Sequence, residues 1–452
     1  MRIAELAGQR VAIWGFGREG RATIRALRHH IPGLMLALYC TEAEAAEAQA
    51  FDAALRIYAN EPDAVALSAY DVVVKSPGIS AYKPAIITAQ AQGTRFTSGT
   101  ALWFAENPHA RVVAVTGTKG KSTTTAFIAH LARALGVRTA LAGNIGLPPL
   151  ELFDQQADLW AIELSSFQTG ESGPVELGVM TSLYEEHLDW HGSPERYVSD
   201  KLKLADAAQT LLVNAGQASL LDKTSRHKDR KLFGQNDGWH VADGHIQCGD
   251  IQVFALDLLP TPGLHNALNA CAALAALEIM GFDAKCAAPA LANFQPLPHR
   301  LQPLGVQRHL QWVNDSISTT PQATLAALDS LQGREVTVIV GGHDRGLDWS
   351  PFVQAVAKRA ALRIVTQGAN GPRVAQALRA AKSEVPLGDV DKLADAVEMA
   401  QIVTPEGGVV LLSPGAPSFD QFHDYAERGK RFAELAGFDG NVISGIGGLG
   451  IG

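Results

Sequence analysis

Residues 110–136 read ARVVAVTGTKGKSTTTAFIAHLARALG, and this stretch restricts the fold more than any other. β-Branched residues before Gly117 make a strand, Gly117 and Gly120 supply a turn, and the Ala- and Leu-rich run behind them has a helical period. Strand, glycine turn and helix in that order belong to parallel sheets layered with helices. Such a turn aims backbone N–H groups and the positive end of the helix at one point, which suits a phosphate. Within Gly117, Thr118, Lys119, Gly120, Lys121, Ser122 and Thr123, Lys121 is placed to bridge β and γ phosphates, and Ser122 or Thr123 to ligate Mg²⁺. A full phosphate-loop motif has another glycine at position 115, which is Val115 here, so the loop is a shortened GxxGK[ST] form.

A second strand–turn–helix signal lies at residues 11–27, VAIWGFGREGRATIRAL. Its GFGREG fits the dinucleotide-binding fingerprint. The same letters also serve a tight turn made for packing, and the choice stays open at this point. At 452 residues with 47% hydrophobic residues, the chain is too long for one core and divides into about three domains. Strand-like LMLALYC and YDVVVKSPG complete a Rossmann-like unit over 1–97. A central parallel sheet of the P-loop ATPase kind runs over 98–298 through LWAIELSSF and LGVMTSLYEEHLDW, with short strands and surface loops across 222–250. EVTVIVGG and GGVVLLSPG mark a C-terminal Rossmann-like α/β unit over 299–452, whose GIGGLGIG tail reads as a loose end.

A net charge of −8 excludes a broad basic face for nucleic acid or anionic membrane. No run of about 18 apolar residues and no signal-like N-terminus is present, so the expected location is the cytoplasm, without membrane insertion. Cys40, Cys248, Cys271 and Cys286 have no metal-type spacing and are expected as reduced, buried thiols. Glu163, ending the strand-like LWAIE, either faces the phosphate loop as a Mg²⁺ ligand or caps the next helix. His187 lies among Glu185, Glu186 and Asp189, a polar cluster open to a metal or a structural reading. Lys201, on a helix-like run, reads from its residues alone as a surface lysine, and Asn266 and Asn269 as one helix face or a cap.

The ordered set TGTKGKST, GNIG, ELSSFQ, EEHLDWHGSPERYVSDK, HNALNA, LPHR, NDSISTTP, GGHDRG and LLSPGAPSFDQF resembles the Mur ligases, and most of all their glutamate-adding branch. The resemblance covers essentially the whole chain. It implies three domains, holding in turn the UDP of the substrate, ATP, and the incoming amino acid, so both phosphate-type loops find a use without hydride chemistry. An oxidoreductase would leave Lys121 without a role, and a folylpolyglutamate synthase should lack the N-terminal domain. The implied reaction joins glutamate to UDP-N-acetylmuramoyl-L-alanine through an acyl phosphate, in a protein expected to be a monomer.

By the same resemblance, Glu163 and His187 serve two Mg²⁺ sites, Lys201 is carbamylated and becomes a carboxylate-like Mg²⁺ ligand, and Asn144 stands near the reacting carboxylate. Asn266 and Asn269 resemble adenine-side contacts, Arg300 a γ-phosphate arginine, and Asp315 a ribose-binding acid. Gly17, Arg18, Glu19 and Gly20, with Ser76, Pro77 and Gly78, are implied at the UDP, while Arg345, Ser418 and Phe422 match glutamate-binding positions. Two departures stand out. SGTALW (98–103) replaces the usual GDIEL, and NDSISTTP, with Ile317, Thr320 and Pro321, replaces DSKATN. They favour the branch that adds L-glutamate, with D-glutamate as the alternative.

Overall fold

A computed structural model describes residues 1–184, 188–443 and 448–452. The chain forms two compact units: Met1–Leu258 with Ala267–Ala292 and Gly448–Gly452, and Leu259–Asn266 with Asn293–Gly447.

The first unit holds a parallel sheet and a larger sheet that is parallel except for its last strand. In the N-terminal sheet the strands lie in the order Arg56–Tyr58, Leu36–Tyr39, Val11–Trp14, Val72–Lys75 and Arg95–Thr97. All pairs are parallel, with Val11 beside both Leu36 and Val72. The inner strands VAIW, LALY and VVVK are buried at every position. A parallel sheet covered on both faces demands such unbroken apolar runs.

The larger sheet runs Arg230–Phe233, Ala208–Asn214, Val175–Met180, Val112–Thr116, Leu159–Glu163, Thr139–Gly143 and Gly450–Ile451. Residues 222–250 do carry short strands. Arg230–Phe233 edges this sheet, while Trp239–Ala242 pairs with His245–Cys248 and His245–Cys248 with Ile251–Ala255 in a separate antiparallel meander.

The described part of the tail, Gly448–Gly452, is not a loose end. Gly450 pairs with Leu141 and Ile451 with Ala140, antiparallel to the edge strand. Arg133 donates to the carbonyls of Gly448, Gly450 and Thr139. Glycine-rich sequence carries no strand propensity, so nothing in the tail's own letters announces this pairing. The open edge and the Arg133 guanidinium create it.

In the second unit the order is Gln302–Gln307, Leu310–Asn314, Val409–Leu412, Val336–Val340, Leu362–Thr366 and Leu387–Asp389, with only the first pair antiparallel. Trp349 and Phe352 pack on one face of this sheet, Trp312 and Phe432 in the cluster on the other. Two of the four cysteines depart from the expected burial: Cys40 and Cys271 are buried, but Cys248 is partly exposed and Cys286 exposed. No helix among the described residues is long and apolar enough to cross a membrane.

Candidate functional site

The loop Gly117–Gly120 leaves the strand Val112–Thr116 and enters the helix Lys121–Ala134. Gly120 has φ +85°, and a Cβ there would stand 2.5 Å from Asn269 Oδ1, so both the conformation and the space demand glycine. Neighbouring side chains fix the rest. Lys119 N donates to Ser182 Oγ at 2.8 Å, Thr181 Oγ1 donates to the Lys119 carbonyl, and Thr118 Oγ1 is 2.7 Å from the Tyr197 hydroxyl. Lys121 Nζ folds back onto the Thr118 carbonyl at 2.9 Å, while Ser122 and Thr123 open the helix.

Glu163 ends the strand beside the loop strand, in register with Val115. Its Oε1 accepts from Asn144 Nδ2 at 2.9 Å. Its Oε2 is sealed from solvent and has no hydrogen-bond partner among the described residues. A buried carboxylate oxygen left this way is costly unless a cation meets it, so the donor set fits a hard cation such as Mg²⁺. Lys201, 2% exposed, donates from Nζ to the Gly117 carbonyl at 2.9 Å. The surface position that its own sequence context suggests is therefore wrong: the helix Pro194–Ala207 presents this residue inward, onto the phosphate loop. His187 lies outside the described residues, as do Glu185 and Glu186.

Sequence reasoning missed the network next to it. Asp200, one residue before Lys201, accepts from the Tyr82 hydroxyl at 2.7 Å, from Lys203 Nζ at 2.6 Å, and from His191 Nδ1 at 2.7 Å. Burial opposes its ionisation, but the hydrogen bonds from Lys203, Tyr82 and His191 outweigh it and hold its pKa below the ordinary carboxylate value. Burial lowers the pKa of His191 against the pull of Asp200. Neutral His191 then donates through Nδ1 and accepts at Nε2 from Ser166 Oγ, 3.0 Å away. Ser166, His191 and Asp200 form one buried chain, tied by Tyr82 to the N-terminal sheet's loops. The only advance signal was the spacing of polar letters in SSFQ, WHG and SDK, which no single rule links.

The two N-terminal turns also come together, because they leave neighbouring strands at their carboxyl ends, where open α/β sheets place ligands. Gly17 precedes the helix Arg18–His30. A Cβ on Gly20 would stand 2.0 Å from the Gly15 carbonyl, and Ser76 Oγ donates to that same carbonyl. Arg18 donates to the Gly146 carbonyl, and the Pro77 carbonyl accepts from Trp190 Nε1 at 3.0 Å, next to Gly78. Glu19 Oε1 accepts from Gln168. Burial first, then the Glu171 carboxylate, pushes Glu19 up to about 7.

Asn269 lies against the phosphate loop, 3.3 Å from Thr124 Oγ1, whereas Asn266 donates to the Pro262 carbonyl. In the second unit, Asp315 accepts from Leu301 N, Ser318 Oγ and Ser413 Oγ, and burial pushes it up to about 6. Arg300, the neighbour of Leu301 in the chain, favours its charge. Arg345 is exposed beyond the strand Val336–Val340, Ser418 is buried, and Phe422 packs against the Trp312–Phe432 cluster. A residue not foreseen, Arg428, binds the loops behind them: its guanidinium donates to Ser316 Oγ, the Ser316 carbonyl and the Pro417 carbonyl. Burial lowers its pKa to about 10.

Comparison with known proteins finds three successive domains along the chain. The N-terminal domain of MurD-like Mur ligases matches residues 9–98, the Mur ligase middle domain 115–277, and the Mur ligase glutamate ligase domain 299–415. A protein of Xylella fastidiosa strain Temecula1, UDP-N-acetylmuramoyl-L-alanine--L-glutamate ligase, is 50% identical over 100% of both chains. UDP-N-acetylmuramate-alanine ligase MurC of Thermotoga maritima shares the fold at TM-score 0.62 and 19% identity, covering 94% of this chain and 98% of its own. The MurF ligase of the same organism, solved with ADP, does so at 0.58 and 15%, covering 94% and 93%. With three successive domain matches and full-length relatives at half identity, the chain belongs to the Mur ligase family and is built on its three-domain α/β plan.

Proposed function

We propose that the protein is an ATP-dependent ligase that joins L-glutamate to UDP-N-acetylmuramoyl-L-alanine in peptidoglycan precursor synthesis. The observation that carries this reading is a phosphate loop whose Gly117 carbonyl holds the buried Lys201, with the buried Glu163 carboxylate at the end of the strand beside the loop strand. The acceptor carboxylate attacks the γ-phosphorus, ADP leaves, and the acyl phosphate so formed is attacked by the glutamate amine, with release of phosphate. Both steps crowd negative charge, which fixed donors must meet. In this reading Gly117–Thr123 cradle the triphosphate and Lys121 bridges its outer phosphates. Ser122, Glu163, His187 and Lys201, if carbamylated, would hold Mg²⁺, which would supply positive charge to the reacting oxygens. Asn144 fixes Glu163 near the acceptor carboxylate.

Arg300 serves the γ-phosphate, Asp315 the ribose, and Asn266 and Asn269 the adenine side. Gly17–Gly20 and Ser76–Gly78 receive UDP. Arg345 takes one glutamate carboxylate bidentately, with Ser418 and Phe422 beside it. For the L-isomer the support is the name of the full-length relative and the NDSISTTP loop, where the Thr320 hydroxyl caps the helix Pro321–Asp329.

ADP release with UDP-N-acetylmuramoyl-L-alanine and equal concentrations of L- or D-glutamate tests both levels. L-Glutamate should win by roughly 100-fold, the scale set by one carboxylate left without its partner. A D-glutamate preference would overturn the stereochemistry alone, and no acceptor-dependent turnover with any amino acid would overturn the reaction.

A further inference from the structure

Away from this site, the last turn of the helix Arg18–His30 brings two imidazoles against a carboxylate. His29 Nε2 lies 3.4 Å from Asp154 Oδ2, and His30 Nε2 lies 3.7 Å from Asp154 Oδ1. Among the described residues this is the single group of three His, Cys, Asp or Glu whose ligand atoms gather within 4.8 Å. The separations exceed the ordinary hydrogen-bond range of about 2.7–3.2 Å. Although they run to different oxygens of Asp154, both are near the ~3.4 Å between two ligand atoms each ~2.1 Å from a tetrahedral centre, and all three ligand atoms lie within 4.8 Å of one another.

The rings are also held in place. His30 packs on Phe153 with centroids 4.1 Å apart, and His29 meets His30 edge-on at 4.7 Å. A helix C-terminus carries partial negative charge, which favours a cation at this spot. His29 and Asp154 are each more than 60% exposed, at 67% and 63%, so an ion can enter and keep waters in its remaining positions.

We infer that His29, His30 and Asp154 form a binding site for a divalent transition-metal cation of the zinc class. Two imidazole nitrogens and one carboxylate oxygen suit Zn²⁺, Co²⁺ or Ni²⁺, whereas Mg²⁺ and Ca²⁺ want oxygen throughout. The site is therefore chemically distinct from the one at Glu163. The ion joins the end of the N-terminal helix to the segment after Pro149–Leu152, beside the Arg25–Glu151 ion pair. It acts as a second clamp between the N-terminal and central sheets of the first unit, and it does not depend on the proposed reaction.

Calorimetric titration of Zn²⁺ into the full chain, with excess Mg²⁺ and ADP present and at a pH above the imidazole range, tests the site. One zinc should bind, and its melting temperature should rise. Both effects should fall at least tenfold in affinity, or vanish, in His29→Ala/His30→Ala and in Asp154→Asn, while Cys286→Ser leaves them intact. In ¹⁵N-histidine spectra two imidazoles should shift with the bound metal. Equal zinc affinity in wild type and His29→Ala/His30→Ala, or no zinc bound by wild type, would overturn the assignment. Because these side chains lie on the surface, a metal-free circular-dichroism spectrum and urea midpoint equal to those of the wild type show that the variants fold.

Discussion

Lys201 shows how much one side chain can differ from its sequence context. Its neighbours on the helix spell a solvated run, yet it is buried with its Nζ on the Gly117 carbonyl. Burying an ammonium is expensive, and the proposed conversion to a carbamate beside Mg²⁺ would remove that expense. Lys201→Ala should therefore lower kcat by at least about 100-fold, the scale of one lost electrostatic partner, and short carboxylates such as formate should restore part of it. Normal turnover of the variant would refute the carbamate. Glu19 is the opposite case, a carboxyl whose proton is retained. The folded protein holds that proton up to about 7, where the ordinary value is 4.5, so it binds more protons than the unfolded chain between those values. Stability should then fall as pH rises through this window, by on the order of 3 kcal/mol in all. Urea unfolding at the two ends of the window should show the slope in wild type and a flatter one in Glu19→Gln. Identical slopes would show that Glu19 ionises freely.

Among elements, those with a strong local pattern were legible. The loop strand, its glycines and its helix could be read because φ-positive turns leave glycines in the sequence, as at Gly120. Glu163 was legible because it ends a buried strand next to that one. The Ser166–His191–Asp200 chain and Arg428 were not, since their partners are joined by topology across many residues. The tail strand Gly450–Ile451 was illegible for another reason: its order comes from Arg133, whose pKa burial lowers and which donates four hydrogen bonds to carbonyls. Arg133→Ala should cost about 2 kcal/mol, in line with hydrogen bonds from a charged donor, and lower the melting temperature by a few degrees. Amide exchange at Leu141 should quicken with it. If neither changes, the strand is held by its backbone pairing alone.

At the scale of the whole molecule, composition and length pointed to about three domains, and the matches to three successive Mur ligase domains agree with that plan. What the letters could not convey is that the chain leaves its first compact unit after residue 292 and returns to it at Gly448. That return has a consequence during synthesis. The strand Thr139–Gly143 emerges from the ribosome roughly 300 residues before its outer partner, which at about 5–20 residues per second is some 15–60 s. Throughout that interval the outer edge of the nascent central sheet offers unpaired N–H and C=O groups, a template for wrong pairing with other chains. The residues that close it are translated only after residues 293–447, so the growing polypeptide must keep that edge shielded while that stretch of the second unit is being made.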